Sequence, residues 1–456
     1  MKEKTPEEEL SEYLQWLYFE DNCEFTDKES CNKWKKRNEG LVLEDKPEFS
    51  FMMAVYNDMT LFNSAVSSLL KQNFTNWELV ILDNSDKNDS AWETIQNAVQ
   101  MDSRIRAYKE NKNVGWAKGA SILLNHVRGT YVTFLAADDC INMGSLERLH
   151  EIALAEEPDV IWVGYMYVDF LASHIRYLSG NCPQYKVYGE ENRSDAIVDI
   201  MNRVYYNSFF HYMRVDFLKQ HNIDFYEPYY ADCAGMTKCM TASRKMVVAD
   251  AMVYCLTRNT SQTVGHYIWD AYDFMFANQW RCVREVFHKE KYLDSNGITY
   301  VANRILNNLY GNISALCCGR CRDKYMNSSK KTKKEIIDQL EAIMLCDDIA
   351  EMIYICGSSF GTLLSAISNL SSLGIEENDS LVMQSRLRPL LILGIAGNRL
   401  NMEEKAGLMA QWLLSEINTW CTGFDYYASL LETLDDMVLA KFRQDIDNIV
   451  LKYDSI

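Results

Sequence analysis

Between residues 48 and 165, short apolar runs alternate with amphipathic stripes, and that alternation leaves few folds open to the chain. "FSFMMAV" (49–55) is continuously apolar, as a strand covered on both faces must be. Leu61, Phe62, Ala65, Val66, Leu69 and Leu70 then recur at helical spacing. "WELVILD" (77–83) reads as the next strand, and Ser90 with Glu93 as a capping box opening a helix to about residue 100. "RIRAY" (104–108) is a weaker strand, 116–127 a helix and 130–136 a strand. A helix from Ser145 stops before Pro158, and "DVIWVGY" (159–165) is strand again. Strand and helix alternating in this way predict a mainly parallel sheet with helices on both faces. Ligands of such sheets bind beyond the carboxyl ends of the strands. Asp83 and Asp138, each at such an end, are therefore expected to face one crevice.

The flanks are of a different kind. Thr5, Pro6 and Glu8 make a helix start, and Leu10, Tyr13, Leu14, Leu17 and Tyr18 line one face behind it. A helix docked on the main domain is the expectation, ahead of one reserved for a partner. Residues 166–265 are aromatic and polar with few long stripes. After about 270 the stripes are helical: Val301, Ile305, Leu306, Leu309, Ile313 and Leu316; then Ile336, Ile337, Leu340, Ile343 and Met344; then Phe442, Ile446, Ile449 and Val450. The expected division is an N-terminal helical arm (1–47), an α/β domain (48–268) and an all-α domain of six to nine helices (269–456). "NSSKKTKKE" (327–335) reads as a solvated connection.

A net charge of −18 speaks against a nucleic-acid partner, which needs clustered Lys and Arg. It leaves room for a small anion held by local amides or a metal ion. "MKEKTPEEEL" is too charged for a secretory signal, and "PLLILGIAG" is far shorter than the roughly 20 residues of a membrane helix. The expectation is thus a cytoplasmic chain with no transmembrane segment and with its 14 cysteines reduced. The one CxxC, in "CCGRC" (Cys317, Cys318, Cys321), has no second pair at zinc-ribbon spacing and reads as helix packing.

Four pieces in order, "MAVYND" (53–58), "LVILDNSDKNDS" (79–90), "NVGWAKG" (113–119) with "RGTYVTFLAADD" (128–139), and "YYADCAG" (229–235), together resemble the family 2 glycosyltransferases over about residues 48–265. The resemblance implies a GT-A-like, Rossmann-like α/β domain followed by the all-α C-terminal domain. It also implies an inverting transfer of one sugar from a nucleoside diphosphate donor to an acceptor hydroxyl. By the same resemblance Ala54, Val55, Tyr56 and Asn57 lie beside the nucleotide, and Asp83 hydrogen-bonds its base. Asn84 stands where the family often has a second acidic residue. Asn113, Gly115 and Lys118 belong to a glycine-rich turn whose glycines let the backbone approach the donor, with Lys118 near phosphate charge.

The family places an Asp-x-Asp metal motif at this strand end. Here Ala136 holds its first position, Ala137 the middle, and Asp138 the last, which contacts the metal in the family. Mn²⁺ or Mg²⁺, suited to oxygen ligands, would neutralise the leaving diphosphate. The missing carboxylate at Ala136 puts the metal affinity in question, and His266 in "TVGHY" is a candidate further ligand, with a purely structural histidine as the alternative. Asp139 is expected to cap or orient. Asp232 matches the family's base, with Ala231 in place of the usual acidic neighbour and a plain helix cap as its other reading. Arg258 in "TRNTS" resembles the loop after the base and would reach the diphosphate. The processive signature Gln-x-x-Arg-Trp is missing, since "NQWR" (278–281) has the wrong spacing, so a single addition is implied.

The donor expected from the resemblance is a UDP-sugar. The acceptor is a glycan, a lipid-linked glycan or a peptide, in bacterial surface polysaccharide or glycoconjugate synthesis. A lipid-linked acceptor would be met at the inner face of the membrane by peripheral contact. The helical domain would bind acceptor or build a homodimer. A catalytically degenerate nucleotide-sugar-binding scaffold is the other reading, motivated by Ala136 and Ala231, against which the retention of both Asp138 and Asp232 speaks.

Overall fold

The structure, a computed structural model, describes residues 4–57, 59–85, 89–171, 174–203, 210–225, 231–258, 277, 280–281, 284, 295–317, 332–357, 360–371, 377–398, 401, 404–405, 408 and 437–453. It has two compact units, Met1–Thr263 with Val286–Tyr292, and Val264–Glu285 with Leu293–Ile456.

The first unit opens with helices α1 (Pro6–Phe19) and α2 (Lys28–Arg37). It continues through β1 (Phe49–Val55), α3 (Phe62–Leu70), β2 (Trp77–Asp83), α4 (Asp89–Met101), β3 (Ile105–Lys109), α5 (Trp116–Leu124), β4 (Tyr131–Phe134), β5 (Cys140–Ile141) and α6 (Ser145–Glu156). Then come β6 (Val160–Leu171), β7 (His174–Asn181), β8 (Lys186–Tyr188), α7 (Arg193–Arg203), β9 (His211–Arg214), α8 (Val215–Gln220), α9 (Ala231–Ala242) and β10 (Met246–Arg258). The strands form one sheet in the order β3-β2-β1-β4-β9-β6-β10-β5, with β7 beside β6 and β8 beside β10. Pairing is parallel from β3 to β4. Beyond β4 the sheet is mixed: β9 runs antiparallel to both β4 and β6, while β6 and β10 are parallel. The parallel pairing expected from the strand–helix alternation thus holds for the β3–β4 half, where each crossover carries a helix. β7, β9 and β10 come from the stretch that has no such alternation, and β6 runs from the alternating stretch into it. Because β9 is antiparallel to both of its neighbours, β6 and β10 run in the same direction as β1, β2 and β4. All five therefore present their carboxyl ends at one edge.

β1 and β2 are buried almost end to end, which explains their uninterrupted apolar sequences. β4 ends two residues earlier than its sequence suggests, because the amide of Ala136 leaves the ladder and donates to the Tyr254 hydroxyl at 3.1 Å. α4 begins at Asp89, so Ser90 lies inside the helix and not at its cap. α1 has the capping box its sequence predicts, with Thr5 and Glu8 each bonded to the other's backbone. Its Leu14, Leu17 and Tyr18 are fully buried against Met166, Val168, Ile175, Cys140 and Cys255. Burial of each such side chain is worth about 2 kcal/mol. The carboxyl end of α1 is closed by Lys71, whose Nζ donates to the carbonyls of Trp16 (3.0 Å), Leu17 (3.3 Å) and Glu20 (2.7 Å) and to Asn22 Oδ1 (2.8 Å). The cation sits where the helix dipole is negative. Burial lowers the Lys71 pKa to about 8.

In the second unit the described helices are α10 (Ser295–Cys317), α11 (Lys333–Met344), α12 (Asp347–Ile355), α13 (Phe360–Ser371), α14 (Glu377–Gly397) and α15 (Met437–Tyr453). Val301, Ile305, Leu306, Leu309 and Ile313 of α10 are buried, as are the five stripe residues of α11, and Ile446 of α15. α11 starts inside the basic stretch read as a connection: Thr332 caps it and Glu335 completes a capping box, so Lys333–Glu335 form its first turn. Cys318 and Cys321 lie outside the described residues. Cys23, Cys31, Cys140, Cys182, Cys239, Cys255, Cys346 and Cys356 are free thiols. Among the described residues no helix is long and apolar enough to cross a membrane.

Candidate active site

The site is built on the shared carboxyl edge of β1, β2 and β4. The register pairs Val55 of β1 with Asp83 of β2, and Asp83 with Lys109 of β3, so the three stand in one row where the strands stop. Past Val55 the chain turns sharply. Ala54 is half-buried, Tyr56 is 38% exposed, and Asn57 takes a left-handed φ of 57°, a conformation asparagine tolerates better than most residues. The Asn57 amide donates to Ser85 Oγ at 2.9 Å, and the Asn84 amide to the Val55 carbonyl at 2.8 Å, which ties the ends of β1 and β2 together.

Asp83 is fully buried. Its Oδ1 accepts the Ser85 amide at 3.0 Å, a local turn bond, while its Oδ2 lies 3.8 Å from Lys109 Nζ and has no hydrogen-bond donor. A buried carboxylate oxygen in that state costs about 1–3 kcal/mol or more. Such a group is usually explained by a ligand, an ion or water.

Asn84 explains why this position is an amide here. Its Oδ1 accepts the Val114 amide at 2.8 Å, which fixes the orientation of the side chain, so its Nδ2 faces Asn113 Oδ1 and donates to it at 2.9 Å. Asn113 Oδ1 also accepts the Gly115 amide at 2.8 Å. An aspartate could not supply the donor. Asn84 therefore clamps the Asn113–Gly115 turn onto the end of β2. Gly115, with φ of 80° and open space around its missing Cβ, caps α5. Gly119 has another task than approach to a ligand. A Cβ there would stand 3.3 Å from Leu82 and 3.8 Å from Ala54, so this glycine lets α5 lie close on β1 and β2. Lys118 is exposed in the first turn of α5.

At the end of β4 the two aspartates part company. Asp139 is 2% exposed and engaged by β10: Oδ1 accepts the Thr257 amide and Oδ2 the Tyr254 hydroxyl, both at 2.7 Å. Burial pushes its carboxyl well above the usual range and the charge of Asp138 adds to this, while the Thr257 and Tyr254 bonds pull it back. Tyr254 also receives the Ala136 amide, so one hydroxyl fastens both ends of the Ala136–Asp139 turn. Ala137 and Asp138 are half-buried between these fixed ends. With Ala136 lacking a ligand atom and Asp139 held by β10, Asp138 is the carboxylate this turn can offer a cation. Among the described residues no three His, Cys, Asp or Glu side chains gather at metal-binding range. That donor set suits Mg²⁺ or Mn²⁺ bound largely through substrate phosphates and water, since Mg²⁺ commonly takes only one or two carboxylates. His266 lies outside the described residues.

Asp232 falls in the first turn of α9; its side chain is outside the described residues. Arg258 ends β10, and its Nε donates to Asp169 Oδ1 at 3.0 Å. Sequence reasoning missed Lys109, Tyr254, Thr257 and Asp169. Their roles depend on strand neighbours far away in the chain, and only the carboxyl-edge position of Lys109 and the proximity of Tyr254 to "TRNTS" could have signalled any of them.

Residues 50–226 match the family model described as glycosyl transferase family 2. An uncharacterized glycosyltransferase of Haemophilus influenzae is 29% identical over 133 residues, 29% of this chain and 53% of that protein. The Escherichia coli protein WfgD, named as a UDP-Glc:alpha-D-GlcNAc-diphosphoundecaprenol beta-1,3-glucosyltransferase, is 25% identical over 120 residues, 26% of this chain and 46% of its own length. The chain thus spans about half the length of these two curated relatives. A crystal structure of S. aureus TarS 1-349 in complex with UDP-GlcNAc superposes with a TM-score of 0.52 at 15% identity, covering 75% of this chain and 90% of that one. That likeness establishes the GT-A-like fold. Residues 50–226 are thus similar to the family 2 glycosyl transferases, on a fold that is GT-A-like.

Proposed function

We propose that the chain transfers a single sugar, with inversion, from a nucleoside diphosphate-sugar to an acceptor hydroxyl. A UDP-sugar is the donor we favour, and synthesis of a bacterial surface polysaccharide or glycoconjugate the setting. The observation that carries the reading is the buried, donor-less Oδ2 of Asp83 at the strand edge. An N–H of a nucleobase would satisfy it. β1 lies between β2 and β4, so roughly 10 Å separates the ends that carry Asp83 and Asp138. The Val55–Asn57 turn ends β1 between them, and Asn84 holds the Asn113–Gly115 turn beside the end of β2. UDP-GlcNAc in TarS and the UDP-Glc of WfgD's name support the choice of uridine. The diphosphoundecaprenol in that name supports a lipid-linked acceptor, met at the cytoplasmic face of the membrane. A glycan or peptide acceptor is the alternative, and the helical unit would bind the acceptor or pair two copies of the chain.

In the transfer, Asp83 and the β1 turn hold the nucleoside. Asp138, with donor phosphate oxygens, would hold Mn²⁺ or Mg²⁺, which supplies Lewis-acid neutralisation of the leaving diphosphate. Asp139, Tyr254 and Thr257 keep the Asp138 turn in place. Asp232, in the first turn of α9, takes the proton of the acceptor hydroxyl. Lys118, exposed in the first turn of α5, and Arg258, at the end of β10, would offset phosphate charge.

Donor hydrolysis without acceptor tests this. Purified protein given UDP-glucose, UDP-galactose or UDP-GlcNAc with Mn²⁺ should release UDP slowly from one of them, and Asp138→Ala should abolish the release. If none is hydrolysed and none binds, the scaffold reading replaces the transferase.

A further inference from the structure

One carboxylate at the same edge anchors two arginines, and only one of them belongs to a loop read above as donor-binding. Asp169, near the end of β6, stands opposite Arg176 of β7 and beside Arg258 of β10 in the sheet register. The three side chains form a row across adjacent strands. Asp169 Oδ1 accepts Arg258 Nε at 3.0 Å, and Oδ2 accepts Arg176 Nη2 at 2.7 Å. The aspartate is 6% exposed, while the arginine side chains are 58% (Arg176) and 49% (Arg258) exposed. Each guanidinium has five N–H donors and commits one nitrogen here, so most of the donors stay available on the open side. The row carries a net charge of +1 in a chain whose total is −18. The two arginines hold the Asp169 carboxyl below its ordinary range.

Its place relative to the site is set by the backbone. Thr257 binds Asp139 through its amide and Arg258 is the next residue, so the row begins beside the Asp138 turn and crosses β6 to β7, on the flank of β6 that β9 also pairs. Guanidinium groups fixed through one nitrogen present a planar fork of donors, the geometry that suits phosphate oxygens. On the far face of the same strands, Val168 and Ile175 pack under α1, so the arginines do not serve that core.

We infer that Arg176 and Arg258, both fixed by Asp169, form a two-guanidinium site for a phosphate group next to the Asp138 turn. The phosphate belongs either to the donor's diphosphate or to a phosphorylated acceptor. The inference rests on the proposed transferase reading only for which phosphate arrives. Asp169 is a positioning residue: it fixes the two forks without touching the ligand.

The test is calorimetric titration of the full chain and of Arg176→Gln, Arg258→Gln and the double variant with three probes: UDP, UMP and farnesyl diphosphate. Loss of charged hydrogen bonds should weaken the phosphate probe about tenfold to a hundredfold. A donor phosphate is indicated if each variant erodes the advantage of UDP over UMP. An acceptor phosphate is indicated if farnesyl diphosphate weakens while UDP does not. If both variants keep every affinity within twofold of the parent, the row is a set of surface ion pairs and the inference is overturned. UDP binding by the parent in that case would leave the transferase reading standing. A parent that binds no nucleotide would defeat the transferase reading, and the farnesyl diphosphate titration would still decide the arginine site. Unchanged melting temperatures in the variants confirm that folding is not what moved.

Discussion

Replacing Tyr254 by phenylalanine should unfasten the turn that carries Asp138. The hydroxyl donates to Asp139 Oδ2 at 2.7 Å and accepts the Ala136 amide at 3.1 Å, and the ring is fully buried, so the substitution removes both bonds and fills no space. Leaving a buried carboxylate oxygen without its donor costs about 1–3 kcal/mol, with more for the charged form. In a unit of this size each kcal/mol lowers the melting temperature by about 2–4 °C. The loss should depend on pH with a definite sign. The Asp139 carboxyl already titrates above its unfolded value, so its contribution to stability is present in acid and is lost as pH rises between the unfolded and folded values. Tyr254 pulls the folded value down, and removing it extends that losing window upward. Tyr254→Phe should therefore destabilise more at pH 8 than at pH 5, measured by thermal unfolding at both. Its Mn²⁺ requirement for donor hydrolysis should also rise, while UMP affinity stays near the parent's. An equal drop in melting temperature at both pH values, with unchanged Mn²⁺ dependence, would refute the role given to this hydroxyl.

Other substitutions probe neighbouring parts of the site. Asp83→Asn should weaken uridine nucleotides about tenfold in calorimetry, because one carboxylate acceptor is exchanged for an amide at a buried position. Asn84→Asp sets two acceptors against each other at Asn113 Oδ1, and should cost about 1–3 kcal/mol and speed hydrogen exchange at Val114 and Gly115. Lys71→Met strips the donor from the closing carbonyls of α1, so residues 6–19 should become open to limited proteolysis while the nucleotide affinity of the sheet domain holds.

How much of this was legible in the sequence depends on whether a residue's duty is local. β1 and β2 run over the residues their apolar runs predict, because strands buried on both faces must be apolar throughout. The α1 capping box was equally plain, since its partners are three residues apart. β6 was harder to bound. It continues six residues past "DVIWVGY" as "MYVDFL", with Met166 and Val168 on the face under α1 and Asp169 on the other. The short end of β4 was invisible, because it is set by Tyr254, a partner 118 residues away. The same distance hides the difference between Asp138 and Asp139, adjacent in sequence yet one half-buried and the other locked to β10. Asn84 looked like a substitution for an acid, and only its two bonds to the 113–115 turn show why an amide is required.

Calorimetric titration with UDP, GDP and TDP, with and without Mn²⁺, on the parent and on Asp138→Ala, bears most directly on the donor site. The expected result is binding of UDP above the other two, strengthened by Mn²⁺, with the Mn²⁺ increment lost in Asp138→Ala and the metal-free affinity retained. Failure of all three nucleotides to bind, with or without the ion, would contradict the assignment of this strand edge as a nucleotide-sugar site.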